Sequence, residues 1–221
     1  MPPNATATPA NPRPRLRDLV SGKPLPSLRM TEAQFVAWSD EDTRAEWVDG
    51  EVVLMAPDND EHVDLNDWLT AIVRPFVEER RLGVIRSKTS MIRLATQRRR
   101  RLPDLHFIAG ARAHIIKPTY VEGAPDLVIE IVSPDSGSRD RREKFFEYEK
   151  AGVKEYWIID PLAKRVELYV LKGRKYEQRS EETGGVLRSV VLSGFFLKPK
   201  WLWQRPLPNV LKTLRELGVR G

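Results

Sequence analysis

The segment Pro125-Asp126-Leu127-Val128-Ile129-Glu130-Ile131-Val132 constrains the fold of this chain more than any other. It is apolar on both of its faces, which is the pattern of a central strand covered on each side. Side chains alternate along a strand, so Asp126, Val128, Glu130 and Val132 share one face. Glu130 sits deep in that run. A buried carboxylate without a partner is strongly unfavourable, so Glu130 needs a cation, a donor network or a metal ion. An arginine pair or a loop cap would satisfy it equally well. For Asp126, at the start of the strand, such a structural pairing is the more ordinary use.

A second acid precedes a second β-capable run, in Arg101-Leu102-Pro103-Asp104-Leu105-His106-Phe107-Ile108. If the two strands lie side by side, Asp104 and Glu130 come within reach of one divalent cation. Oxygen donors of this kind suit Mg²⁺ or Mn²⁺ rather than zinc. His106 shares the face of Asp104 if the strand is regular, where a lone histidine is more often a core residue than a ligand. Downstream, Arg139 to Ala151 reads as a helix closed by Gly152. Lys144 and Tyr148 share one face of it. Packing of Phe145 and Phe146 into the core would turn Lys144 toward the sheet. The plainer reading of Lys144 is a solvent-facing lysine in a charged helix.

The 221 residues include no cysteine. Disulfides, thiolate zinc sites and a cysteine nucleophile are therefore excluded. No apolar run reaches the ~18 residues that a membrane helix needs. A soluble, cytoplasmic protein is the expectation. The formal net charge of +6 is unevenly spread. Residues 1–28 hold four cations and one acid, and residues 193–221 hold six cations and one acid, which leaves the middle slightly acidic. A basic nucleic-acid-binding core does not follow from the total.

Prolines at 2, 3, 9, 12, 14, 24 and 26 make residues 1–28 an extended or disordered basic tail. Residues 29–195 form the expected domain, and 196–221 a basic C-terminal extension with a short helix over Asn209 to Leu217. Thr31 is a candidate N-cap. Asp49-Gly50 between two short β-capable runs marks a hairpin. Helical spacing runs from Asn59 to about Leu82, across Pro75, with Gly83 as its stop. Strands are expected at Val84–Ser87, Ser90–Ala95, Leu102–Ala109, Glu155–Asp160, Arg165–Leu171, Lys175–Arg179 and Leu187–Leu192. The class is mixed α/β (α+β): a helix, a block of strands, a helix, then more strands.

Five pieces follow one another in a fixed order. They are Glu46-Trp47-Val48-Asp49-Gly50-Glu51, Arg101-Leu102-Pro103-Asp104 and Pro125 to Pro134, then Lys144 with Tyr148, Gly152 and Val153, and finally Tyr156-Trp157-Ile158-Ile159-Asp160-Pro161. Together, over residues 30–195, they resemble the Uma family of predicted restriction endonucleases, within the PD-(D/E)XK nuclease superfamily. The resemblance implies a restriction-endonuclease-like core, a mixed sheet flanked by helices, and a Mg²⁺- or Mn²⁺-dependent phosphodiesterase acting on DNA. It assigns Asp104 and Glu130 to the metal, and Glu46 to the same shell directly or through water. The superfamily motif would put a lysine two residues after Glu130, where this chain has Val132. Lys144, from the following helix, is the matching lysine. Asp126 is similar to a family position and counts as an additional acid.

Arg98-Arg99-Arg100-Arg101 reads as a solvated loop between strands, or as a set of phosphate contacts beside Asp104. The aromatics Phe195, Phe196, Trp201 and Trp203 either close the core or anchor a homodimer. The sequence contains no GxSxG, P-loop, HExxH or GxGxxG motif. Besides a DNA endonuclease, two readings stay open: a nucleic-acid-binding module without activity, and a protein-interaction adaptor of a defence or mobile-element system.

Overall fold

The structure is a computed structural model that describes residues 28–40, 42–133, 138–182 and 184–220. Of the expected tail, residues 1–27 lie outside the described residues. Leu28 instead belongs to a strand, β1 (Leu28–Arg29), paired with Val52 and Glu51 of β3 (Glu51–Leu54). Thr31 caps helix α1 (Glu32–Trp38) and exchanges hydrogen bonds with Gln34, a capping box. Phe35 is the residue this helix buries. The turn between β2 (Ala45–Val48) and β3 has positive φ at both Asp49 and Gly50, the tight hairpin that Asp-Gly favours.

Helix α2 (Asp60–Glu79) starts at Asn59, whose side chain accepts from the backbone of His62. Leu65, Leu69, Ile72, Val73 and Phe76 form its buried stripe, and Pro75 is accommodated within it. The chain leaves the helix at Arg80, earlier than the expected stop at Gly83. Gly83 opens β4 (Gly83–Ser87), where a Cβ would stand 2.1 Å from the Ile108 carbonyl oxygen. Close backbone approach, not helix termination, is what this glycine allows.

The main sheet has six strands in the order β12-β11-β10-β9-β7-β4. They are β7 (Leu105–Ala109), β9 (Leu127–Ile131), β10 (Glu155–Asp160), β11 (Arg165–Lys172) and β12 (Lys175–Arg179), with β4 at one edge. Only β9 and β10 run parallel, joined by helix α3 (Ser138–Ala151) in a βαβ crossover. All five residues of β9 are buried, as expected of a central strand. Leu127, Ile129 and Ile131 face α2 in the larger core cluster. Val128 faces the other way, into a second cluster with Tyr148, Val153, Tyr156 and Ile158. Within α3, Phe145 packs on Tyr169 and Tyr176, but Phe146 is exposed. The turning of Lys144 toward the sheet therefore rests on Phe145 and Tyr148, without Phe146.

A second sheet, in the order β1-β3-β2-β6-β5-β8, lies over α3. It includes β5 (Met91–Leu94), β6 (Arg99–Arg101) and β8 (Tyr120–Glu122). The arginine run is thus mostly strand, a correction to the loop expected there. β6 lies between β2 and β5, and only Arg98 stays in a turn, with φ of 55°.

After β12 the chain forms β13 (Leu187–Arg188), β14 (Phe196–Leu197), α4 (Pro199–Leu202) and α5 (Val210–Glu216). The expected strand 187–192 is cut to two residues, because Ser189 Oγ accepts from the backbone of Leu192 and Glu155 accepts from the backbones of Val190 and Val191. Phe195, Trp201, Leu202, Leu214 and Leu217 enter the same cluster as α2. The aromatic segment packs into the core of its own chain, the first of the two uses expected for it. Among the described residues no helix is long and apolar enough to cross a membrane.

Candidate active site

Four elements converge at the C-terminal end of β9. β9 contributes Glu130, and the turn before β7 contributes Asp104. Helix α3 contributes Lys144 and Tyr148, one turn apart, and β2 contributes Glu46. Lys144 Nζ lies 3.1 Å from Glu130 Oε2 and 3.6 Å from Glu46 Oε1. Tyr148 donates its hydroxyl to Glu130 Oε1 at 2.7 Å. Asp104 Oδ2 accepts from the backbone N–H of Ile131, next to Glu130, at 2.7 Å. All five side chains are buried.

The set continues beyond the residues the sequence singled out. Glu46 Oε2 accepts from Arg101 Nη1 at 2.6 Å, and Glu46 Oε1 accepts from the backbone of Leu102 at 2.9 Å. Arg101 also forks onto Glu147 of α3, at 2.8 and 2.9 Å. Glu130, Lys144, Glu46, Arg101 and Glu147 thus form a buried row of alternating charge. The row fastens α3 to both sheets.

Its electrostatics single out one member. Burial works to raise the Glu46 carboxyl, but the charges of Lys144 and Arg101 overcome it and hold the group below its ordinary value. Burial also raises Glu130. There Lys144 and the Tyr148 hydroxyl counter it only in part, while the charges of Asp104 and Glu46 add to it, and the group is pushed up to about 7. Tyr148, buried beside two carboxylates, is raised well above the ordinary phenol. Glu130 is the acid that the row does not fully neutralise.

Asp126 stands apart. It lies four residues before Glu130, about 13 Å along the strand, on the same face but at the other end. There it accepts from the backbone of Ala109 at 2.9 Å and pairs with Arg112 and Lys154. Burial alone would raise it, but these three donors lower it. As an additional acid of the site it is corrected by position.

The arginine run divides by depth. Arg101 is 2% exposed and belongs to the row. Arg100 is buried, bonded to Glu32 and set over the Tyr120 ring. Arg99 reaches Glu147, and exposed Arg98 pairs with Asp49. Arg100 and Arg101 are turned into the protein, so they do not face a DNA backbone. His106 is fully buried on β7, and burial, aided by Arg86, pushes it down to about 3. It is a neutral core residue.

Sequence reading missed His62 and Lys88. His62, in the first turn of α2, places Nε2 3.1 Å from the Ile131 carbonyl oxygen and 3.4 Å from Asp104 Oδ2. Lys88, in the turn after β4, comes within 3.6 Å of Asp104 Oδ1. The one available signal was the Asn59-x-x-His62 cap, which fixes His62 at a helix start but not what that start faces.

Among the described residues, no three His, Asp or Glu side chains are arranged as a ready-made metal shell. Both Glu46 and Glu130 have their two oxygens engaged, but Glu46 is balanced by the charges of Lys144 and Arg101 and held low, which speaks for holding Lys144 rather than ligating an ion, whereas Glu130 is not balanced. Asp104 and Glu130 remain. Mg²⁺ is commonly held by one or two carboxylates, with water and substrate phosphate completing its sphere. The acids that push Glu130 upward are also what a cation would relieve, so this pair fits a divalent ion.

The Uma2 family, described as "Putative restriction endonuclease", matches residues 32–199. The chain belongs to that family. In structure it is similar to a protein from Anabaena variabilis described as a putative nuclease belonging to DUF820, with a TM-score of 0.65 at 20% sequence identity. The match covers 79% of this chain and 97% of the other. At that identity the likeness concerns the fold, a mixed sheet flanked by helices. No protein of curated function matches the chain in sequence.

Proposed function

We propose that this Uma2-family chain is a metal-dependent DNA endonuclease that hydrolyses phosphodiester bonds. The observation that carries the reading is Lys144, set between Glu130 and Glu46, with Asp104, Glu130 and Lys144 at the matching motif positions. Asp104 and Glu130 would hold Mg²⁺ or Mn²⁺, which would polarise the scissile phosphate and acidify a bound water.

The remaining work falls to the chain. The Ile131 N–H and the Tyr148 hydroxyl fix the orientation of Asp104 and Glu130. The Lys144 ammonium donates toward the attacking water and toward the charge that develops on the phosphate oxygens. Glu46, anchored by Arg101 and the Leu102 N–H, keeps that ammonium in place. The water oxygen bonds to phosphorus and releases a proton to bulk water, as the bond to the leaving sugar oxygen breaks and that oxygen takes a proton from solvent. Arg98 and Arg99 offer further phosphate contacts that carry no sequence information. The reading places the protein in the cytoplasm, with DNA as its partner.

The test is cleavage of plasmid and single-stranded DNA by the purified chain with Mg²⁺ or Mn²⁺, against the Glu130→Ala chain. Ion-dependent nicking or linearisation that disappears in the variant is the expected result. Equal cleavage by both proteins, or none by either, would remove the reading.

A further inference from the structure

Beside Asp104 the protein carries a cation of its own. Lys88 Nζ lies 2.7 Å from Asp58 Oδ2, 2.8 Å from His62 Nδ1 and 3.6 Å from Asp104 Oδ1. An ammonium only donates, so His62 Nδ1 accepts from it. The ring proton is then on Nε2, where it faces the Ile131 carbonyl and Asp104 Oδ2. Arg44, at 2.9 Å from Asp58 Oδ2, holds that carboxylate from the solvent side.

Around one point the chain sets an Asp58 oxygen at 2.7 Å, an imidazole nitrogen of His62 at 2.8 Å and, farther off at 3.6 Å, an oxygen of Asp104, oxygen and nitrogen donors of the kind that draw a cation. In this chain an ammonium fills the point. Asp104 has Lys88 on one side and Glu130 close enough on the other to feel its charge. Phosphodiesterases that use two ions set them about 3.5–4 Å apart, one for the attacking and one for the leaving oxygen. Lysine is a compact point charge that can take such a position without a free ion.

We propose that Lys88 occupies the second cation position of this site, so that the nuclease works with one divalent ion and one lysine. The inference rests on the reading of Asp104 and Glu130 as metal ligands. With one fifth of its side chain exposed, Lys88 can also reach a substrate oxygen.

Calorimetric titration of the full, EDTA-treated chain with Mn²⁺ at pH 8 tests this, with Lys88→Ala and Lys88→Ser as variants and their melting in EDTA as the check on folding. The wild type should bind one ion. Either folded variant should bind two, and adding Asp58→Asn should return the count to one. Two ions in the wild type would overturn the proposal even if neither variant folds, and so would an unchanged count in a folded variant. A wild type that binds no ion would remove the Asp104–Glu130 reading. In that case one ion gained by the variants still supports the role of Lys88, and none gained overturns it.

Discussion

Asp126, immediately before β9, and Glu130, within it, are both buried, and their side chains differ by a single methylene. Their surroundings drive them apart. Asp126 faces Arg112, Lys154 and the Ala109 N–H, and its carboxyl is held below the ordinary value. Glu130 faces one lysine and a phenol but shares its end of the sheet with two more acids, and it is pushed up to about 7. Burial alone does not make a carboxylate reactive. A surplus of acids over cations does, because it leaves a charge that only a proton or an external cation can balance. The first end of β9 is a finished structural joint. The second is an unfinished site.

The largest separation between the two ends should appear in cleavage. Glu130→Gln should lower the Mg²⁺-dependent rate by roughly 10²–10³-fold or more, the scale of a lost electrostatic group in an active site. Asp126→Asn should leave the rate per folded molecule within about threefold. Its cost is in stability, roughly 1–3 kcal/mol in urea unfolding. A fully buried pair would cost more when broken, but Lys154 and Arg112 keep water contact. If Asp126→Asn lost cleavage while staying folded, the two ends would not be separate in function.

Ion binding should reveal the same asymmetry. At 100 times its dissociation constant, Mn²⁺ should stabilise the wild-type chain by about 2.7 kcal/mol. The gain should be present in Asp126→Asn and absent in Asp104→Ala, as read from melting with and without the ion. It should be larger at pH 8 than at pH 6, since a carboxylate must lose its proton to ligate.

Why one end could be read from sequence and the other only in part follows from the same residues. The alternation of β9 predicts a buried Glu130, and the spacing of α3 puts Lys144 and Tyr148 on one face, as observed. Local pattern carries that information, because a strand or helix fixes its own faces. It cannot say which distant groups arrive at a face. Asp126 resembles Glu130 until Arg112 and Lys154 are seen beside it. Four consecutive arginines look alike, yet strand pairing with β2 and β5 drives Arg101 to 2% exposure and leaves Arg98 outside. His62 and Lys88 reach Asp104 from elements 42 and 16 positions upstream, through contacts no periodicity encodes.

The pH dependence of stability sharpens the contrast, because the two acids act with opposite sign. Asp126, lowered in the folded chain, contributes stability that is complete above the ordinary aspartate value of 3.8 and is lost as pH falls through its folded value. Glu130, raised to about 7, binds its proton more tightly folded than unfolded. Its stabilising share is complete below 4.5 and declines as pH rises toward 7. In EDTA, Glu130→Gln should therefore melt above the wild type at pH 8 and level with it near pH 4.5. Asp126→Asn should differ least from the wild type at the most acid pH. Parallel melting curves for the wild type and Glu130→Gln from pH 4.5 to 8 would contradict the raised carboxyl.

The smallest expected effect comes from comparing the lysine at each end. Lys144 is 7% exposed at its side chain and lies between two buried carboxylates, whereas Lys154 is 60% exposed. A solvent-exposed ammonium contributes little, because water and salt screen it, and Arg112 remains on Asp126 when it is removed. Lys154→Ala should cost about 0.5 kcal/mol or less in urea unfolding and leave cleavage unchanged. Lys144→Met should remove cleavage, and by leaving Glu130 and Glu46 without their shared cation it should lower the melting temperature more at pH 8 than at pH 5. The two lysines are ten residues apart and carry the same charge, so a similar response to both substitutions would mean that the surplus of acid around Glu130 does not set the two ends of the strand apart.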